Sequence, residues 1–406
     1  MKTNTTRSAS DSKPSPLAIV LGLLLTLLAT PALQAQCRYS WEIIDGPFCP
    51  SEGGPEAFTG KTLDEDGNAA GFNQCFLALK ASSWSGSGEA PHLTGPPSVG
   101  DSFAHGMIDL DHIVGEAAQL SNGMDIAAYW EFGQGRLLDL LPGTNTSTAY
   151  GINSSGLIVG LNYDNIFGPL HAVLWVNDQP IVLALPIGPN SSASDINELG
   201  QITGWMGEPA TRLAFLYDDG VVTTIPLLPN GVSTDGAAIN NLGHVAGRGV
   251  VDVTGIGLTN HALFWDGTNS IDLGTLPGHE KSYATDLNDA EQIVGYSRGD
   301  NGNEAVLWQD GQMYRLVDLL EPPLGLGNTI AHAINNRGQI ILDEGTTVRL
   351  TPIDSPPGDT DNNCVVNVDD LLCVLTEWGN SISIADVNDD GIVNVLDLLQ
   401  VLADWG

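Results

Sequence analysis

Apolar residues in this chain come in short runs, and the runs recur. Between the N-terminal quarter and residue 350 they alternate with clusters of Asn, Asp, Ser and Gly. That is the chemistry of tight turns between strands, and no segment there carries helical periodicity. One stretch repeats with little change. It reads Ala149-Tyr-Gly-Ile-Asn-Ser-Ser-Gly-Leu-Ile-Val-Gly160, then Ala193-Ser-Asp-Ile-Asn-Glu-Leu-Gly-Gln-Ile-Thr-Gly204, then Ala284-Thr-Asp-Leu-Asn-Asp-Ala-Glu-Gln-Ile-Val-Gly295. Copies close at positions 71, 115, 160, 204, 247, 295 and 342, so the period is about 44 residues. Asn and Gly tolerate the positive φ that a hairpin turn demands, so each copy predicts two strands joined at Asn-x-x-Gly. A third run follows, as in His171-Ala-Val-Leu-Trp175 and His261-Ala-Leu-Phe-Trp265, and then an Asp-Leu run ended by Pro-Gly, as in Leu137-Leu-Asp-Leu-Leu-Pro-Gly143.

Four short antiparallel strands in every copy predict a mainly β protein, a seven-bladed β-propeller over residues 38–353. The ends of the array point to closure. Tyr39–Asp45 reads as a fourth strand without the first three, and Thr347–Pro352 as a third strand without a fourth. Paired, they complete one blade and remove two exposed edges. The competing architecture is an open β-solenoid.

After the proline-containing linker 354–357 the pattern changes. Residues 358–406 hold ten Asp or Glu and no Lys or Arg, and they contain one motif twice, 27 residues apart. The first copy sets Asp359, Asp361, Asn363, Val365, Asn367 and Asp370 at positions 1, 3, 5, 7, 9 and 12 of a loop. The second sets Asp386, Asn388, Asp390, Ile392, Asn394 and Asp397 there. A calcium ion takes six to eight hard oxygens, and a twelve-residue loop supplies them from those positions, position 7 through its backbone carbonyl. Two Ca2+ sites are expected. Each loop leads into a run of Leu and Val at helical spacing, which predicts a small α-helical domain packed through two apolar faces. Gly391 takes the sharp turn at position 6 of the second loop. Cys364 stands there in the first, which predicts a weaker first site. A Cys364–Cys373 disulfide is a candidate brace, while Cys37, Cys49 and Cys75 are left unassigned.

The N-terminus carries Lys2, Arg7 and Lys13, then an apolar run from Leu17 to Leu28, then Thr30–Ala35. A basic stretch, a dozen apolar residues and a small residue at the cut describe a secretory signal peptide over 1–35 rather than a transmembrane anchor. The expected location is therefore extracellular or at the cell surface. The 406-residue chain has a net charge of −35. That sign argues against nucleic acid as a partner.

On these motifs the central region resembles the HAF family of extracellular repeats, named for the His-Ala-Phe strand. The resemblance implies location and architecture but no settled activity. The C-terminal segment resembles type I dockerins, which have two loop–helix halves without the entering helix of an EF-hand. That resemblance implies calcium-dependent attachment to a cohesin-like or other cell-surface protein. The recognition positions are Val368-Asp369 and Val395-Leu396 here, not the small hydroxyl pair of cellulosomal dockerins, which puts a standard cohesin in doubt.

The sequence has no His-Glu-x-x-His, and its one Gly-x-Ser-x-Gly, Gly295-Tyr-Ser-Arg-Gly299, opens on a repeat glycine with no helical pattern behind it, so it does not read as a nucleophile elbow. His171 and His261 share a repeat position with Leu213 and Glu304, so they read as structural. Asp64-Glu-Asp-Gly67 falls on the Asn-x-x-Gly turns and reads as a hairpin. The expected function is a secreted, non-catalytic adaptor, with the propeller as binding face. The alternative is a polysaccharide-binding protein, or a hydrolase acting on O-glycosyl bonds. A carboxylate pair in a cleft favours the enzyme; a cleft of stacked Trp without one favours binding.

Overall fold

The structure is a computed structural model. It describes residues 38–49, 54–75, 78–85, 93, 95–96, 99–164, 168–343 and 346–353, and parts of 358–404. The expected signal peptide, the 354–357 linker, and Cys37 all lie outside the described residues. The chain divides into two compact units, a large one over most of Cys37–Ser355 and a small C-terminal one.

The large unit is a seven-bladed β-propeller. Blade one holds Gly54–Leu63, Ala69–Cys75 and Ala78–Trp84. Blades two to six each hold four consecutive antiparallel strands. Their first strands are Val99–Asp109, Thr146–Ile152, Ser191–Ile196, Gly231–Ile239 and Lys281–Leu287. Blade seven takes Ile330–Ile334, Ile340–Asp343 and Thr347–Ile353 from the end of the array. Its fourth strand is Arg38–Cys49, which pairs antiparallel with Thr347–Ile353 in register from Arg38↔Ile353 to Ile44↔Thr347. The ring thus closes where the truncated repeats at the two ends predict.

Packing explains the repeat. Seven apolar clusters fill the seven spaces between neighbouring blades, such as Trp175 with Tyr129 and Ile158 between blades two and three, and Ile44 with Trp84 and Ile341 between seven and one. The alanine after each motif His is fully buried, as at Ala172 and Ala262. Its N–H donates to a hydroxyl of the next blade's first strand, Ala172 to Ser191 Oγ at 3.0 Å and Ala262 to Ser282 Oγ at 2.8 Å. Any larger side chain there would hold the blades apart. The asparagines form a belt. Each Nδ2 donates to the backbone carbonyl one blade on, Asn153 to Asn197, Asn197 to Asn240, Asn240 to Asn288, Asn288 to Asn335, and Asn335 to Asp64.

One assignment from the sequence is corrected. The fourth strands are Gln134–Leu137, Gln179–Val182, Val221–Thr224, Ser270–Asp272 and Gln312–Arg315. They lie mostly before the Asp-Leu-Leu-Pro run. That run instead leaves the sheet, its first leucine anchored by one bond to the motif alanine, Leu138 N to Ala127 O at 2.8 Å and Leu183 N to Ala172 O at 3.0 Å. The burial of those leucines, not ladder pairing, is why the run is apolar.

The small unit has two short helices, Val368–Thr376 and Val395–Asp404, which pack on each other. Val366, Val374, Ala385, Val393 and Val401 form its core. Cys373 is a free thiol packed against that core, and Cys364, the other half of the candidate bridge, lies outside the described residues.

Candidate functional site

The first strand of every blade lines the central channel and bulges at the same point. Pairing skips one residue in each: Lys61, His105, Tyr150, Ser194, Ala237, Thr285 and His332. A bulge re-aims the skipped side chain. All seven line a narrow cavity of about 160 Å³ in the channel. Lys61 Nζ lies 3.2 Å from His332 Nε2, and burial holds both groups below their ordinary range. The bulge also explains the glycine that closes each motif. A Cβ on Gly71, Gly115, Gly160, Gly204, Gly247 or Gly295 would stand about 2 Å from a carbonyl oxygen of the bulged strand, inside contact distance.

Asp195 and Asp286 border this cavity, in blades four and six. Each carboxylate bridges to the next blade. Asp195 accepts from Ile196 N at 2.8 Å and Ile239 N at 2.9 Å; Asp286 accepts from Leu287 N and Ile334 N, both at 2.8 Å. Loss of bulk water pushes Asp195 up to about 6 and Asp286 to about 8, against the pull of those amides.

Above the ring the channel widens into an open cavity of about 490 Å³. Three pairs across the first two strands line its mouth, Ser192↔Trp205, Asp235↔Arg248 and Tyr283↔Tyr296, and the second residue of each follows the motif glycine. Arg212 lies 4.3 Å above the Trp205 ring, and Arg248 lies 5.8 Å from the centre of Tyr283, which stacks on Tyr296 at 4.8 Å. Arg248 donates to Asp235 Oδ2 through Nε at 2.9 Å and Nη2 at 2.7 Å; Arg212 Nη1 reaches the same oxygen at 3.4 Å. Asp235 Oδ1 and Arg212 Nε are buried and have no protein partner. Two guanidiniums against one carboxylate leave this mouth positive, in a chain of net charge −35.

In the C-terminal unit Asp370 and Asp397, at position 12 of each loop, are buried, as is Asp359 at position 1 of the first. Asp370 accepts from Thr360 N at 2.6 Å and Thr360 Oγ1 at 3.0 Å. Asp397 accepts from Asn388 N at 3.2 Å and Asn394 N at 2.7 Å. Both carboxylates thus reach back across their own loops. Asn394 caps the second helix, accepting from Leu396 N at 2.8 Å. Asp361, Asn363, Val365, Asn367, Asp386 and Asp390 lie outside the described residues. Among the described residues alone, no three His, Cys, Asp or Glu side chains gather as a metal site, and no helix is long and apolar enough to cross a membrane.

The repeat histidines stay out of the channel; His261 Nδ1 lies 2.9 Å from Asp272 on the neighbouring strand. Asp64 is a turn residue, accepting from Asp66 N and Asn68 N at 2.9 and 2.8 Å. The channel residues had no distinct signal in the sequence. The skipped position differs from copy to copy, Lys61, His105, Tyr150, Ser194, Ala237, Thr285 and His332, but so do the exposed turn positions between the Asn and the Gly.

No family model matches this sequence, and no curated protein matches it. Solved structures share the fold at low identity. The β-propeller domain of the Trilobed protease from Pyrococcus furiosus is 8% identical with a TM-score of 0.47, over 74% of this chain and 95% of that one. TolB from Acinetobacter baumannii is 11% identical with a TM-score of 0.41, over 74% of this chain and 65% of that one. Prolyl oligopeptidase B from Galerina marginata is 13% identical with a TM-score of 0.49, over 74% of this chain and 48% of that one. The likeness is one of fold.

Proposed function

We propose that this chain is an exported, non-catalytic binding protein whose dockerin-like C-terminal module attaches it, in the presence of calcium, to a cell-surface or secreted partner protein. The propeller is its ligand-binding face. The observation that carries the reading is on the two short helices. Val368, Leu372 and Leu375 on the first, and Val395, Leu396 and Leu399 on the second, are each about half exposed. Small soluble domains seldom leave so much apolar surface in water without a partner to cover it.

Calcium fits the donors. Buried carboxylates need hydrogen bonds or a cation, and this segment has no Lys or Arg to offer. Asp359, Asp361, Asn363, Val365, Asn367 and Asp370 would hold one ion, and Asp386, Asn388, Asp390, Ile392, Asn394 and Asp397 the other. The bound ion supplies the positive charge that lets ten acidic side chains share a small fold, so its binding free energy becomes folding free energy. Calorimetric calcium titration of the full chain tests this. Two ions are expected, falling to one in Asp397→Ala. No calcium binding, or an unchanged count in that variant, contradicts the reading.

A glycan as the propeller's ligand is the second reading, favoured by Trp205, Tyr283 and Tyr296 at the channel mouth. A hydrolase has less support. The Asp195 and Asp286 carboxylates are each tied through both oxygens to backbone amides, and Asp235 is held by arginines.

A further inference from the structure

We propose that the cavity mouth between blades four, five and six binds a sugar acid, a hexuronate or a short uronate chain, with Arg212 taking the carboxylate. The inference deepens the reading of the propeller as a binding face and does not depend on the calcium module.

The arginine fork defines the ligand. Arg212 carries five N–H donors, its Nε is buried, and its one acceptor, Asp235 Oδ2, lies at 3.4 Å. The rest of the side chain is part-exposed and lines the cavity, and a carboxylate matches the guanidinium fork best. Asp235 faces the arginines instead: its Oδ2 is taken by Arg248 and its Oδ1 is buried, so it holds the guanidiniums in place and leaves the ligand to them.

Shape and charge narrow the class. Trp205 and the stacked pair Tyr283–Tyr296 give the cavity flat apolar walls, suited to the C–H face of a pyranose ring. The stacking also fixes the guanidiniums before any ligand arrives, which lowers the cost of binding. With two arginines and one aspartate, the mouth is neutralised by a monoanion and not by a zwitterion, which sets a uronate ahead of an amino acid. The volume, about 490 Å³, lies in the range of small-molecule sites.

Titration calorimetry of the full chain with D-glucuronate, trigalacturonate, D-glucose and glycine provides the test, run with calcium and again in chelator. Glucuronate or trigalacturonate is expected to bind at least about tenfold more tightly than glucose or glycine, with or without calcium. Arg212→Ala is expected to abolish that preference. Arg212→Lys, which keeps the charge but neither the fork nor the guanidinium over Trp205, is expected to weaken uronate binding by about tenfold. It serves if the alanine variant melts early. Equal binding of glucose, preferential binding of glycine, no heat with either uronate, or an Arg212→Lys protein that binds as the parent does would each overturn the proposal. Calcium binding that survives any of these leaves the attachment reading standing.

Discussion

Single residues in this protein answer to the crossing of strands at the bulge. The motif glycine is one case. A Cβ on Gly204 would sit 2.0 Å from Ser192 O, and the obstacle is backbone that cannot swing aside. Gly204→Ala is therefore expected to destabilise the propeller by about 1–3 kcal/mol, read as a lower denaturant midpoint with an unchanged slope. Asp286 is a second case. Its carboxyl is raised from an ordinary 3.8 to about 8 by burial in the folded chain. A raised folded value means that the folded state keeps its proton after the unfolded chain has lost it. The contribution to stability is full below about pH 4 and is lost as pH rises to about 8. In Asp286→Asn that slope is expected to flatten. Comparing melting temperatures of parent and variant across this range isolates the group from the general repulsion of a highly acidic chain, which moves both proteins alike.

At the level of strands and turns, much was legible because the repeat states it seven times. The Asn-x-x-Gly turns are where the pattern puts them, and the reading of Asp64 as a turn residue holds for a stated reason: its Oδ1 accepts the same two turn amides that Asn240 Oδ1 takes from Leu242 and His244. The Asp-Leu-Leu run misled, because a leucine buried by one anchoring bond has the same apolar signature as a leucine in a ladder. The mouth cluster was not legible. Trp205, Arg212, Asp235, Arg248, Tyr283 and Tyr296 are spread over ninety-odd positions of sequence and meet because blades four, five and six pack side by side around the channel. Closure itself depends on Arg38–Cys49, which supplies the last strand of blade seven. A chain lacking residues 38–45 is expected to melt several degrees lower and to self-associate, since Thr347–Ile353 then becomes an exposed edge. Scanning calorimetry and light scattering check both effects; a monomer that melts as the parent does would contradict this account of closure.

For the whole molecule, the two units spend their polar groups differently. The propeller pairs its amides and asparagines around a ring, and two of its arginines, Arg212 and Arg248, share one aspartate at the cavity mouth. The C-terminal unit has acidic side chains only, buries three of those described, and leaves apolar stripes on both helices. The attachment reading proposes that such a unit folds around a cation and is covered by a partner. Hydrogen–deuterium exchange of the full chain, with calcium and then in chelator, tests it most directly. The account predicts that amides in 368–376 and 395–404 are protected with calcium and lose that protection in chelator, while the propeller strands are unchanged. Equal protection of both helices in the two conditions would mean that the unit folds without the ion, and would contradict calcium-dependent attachment.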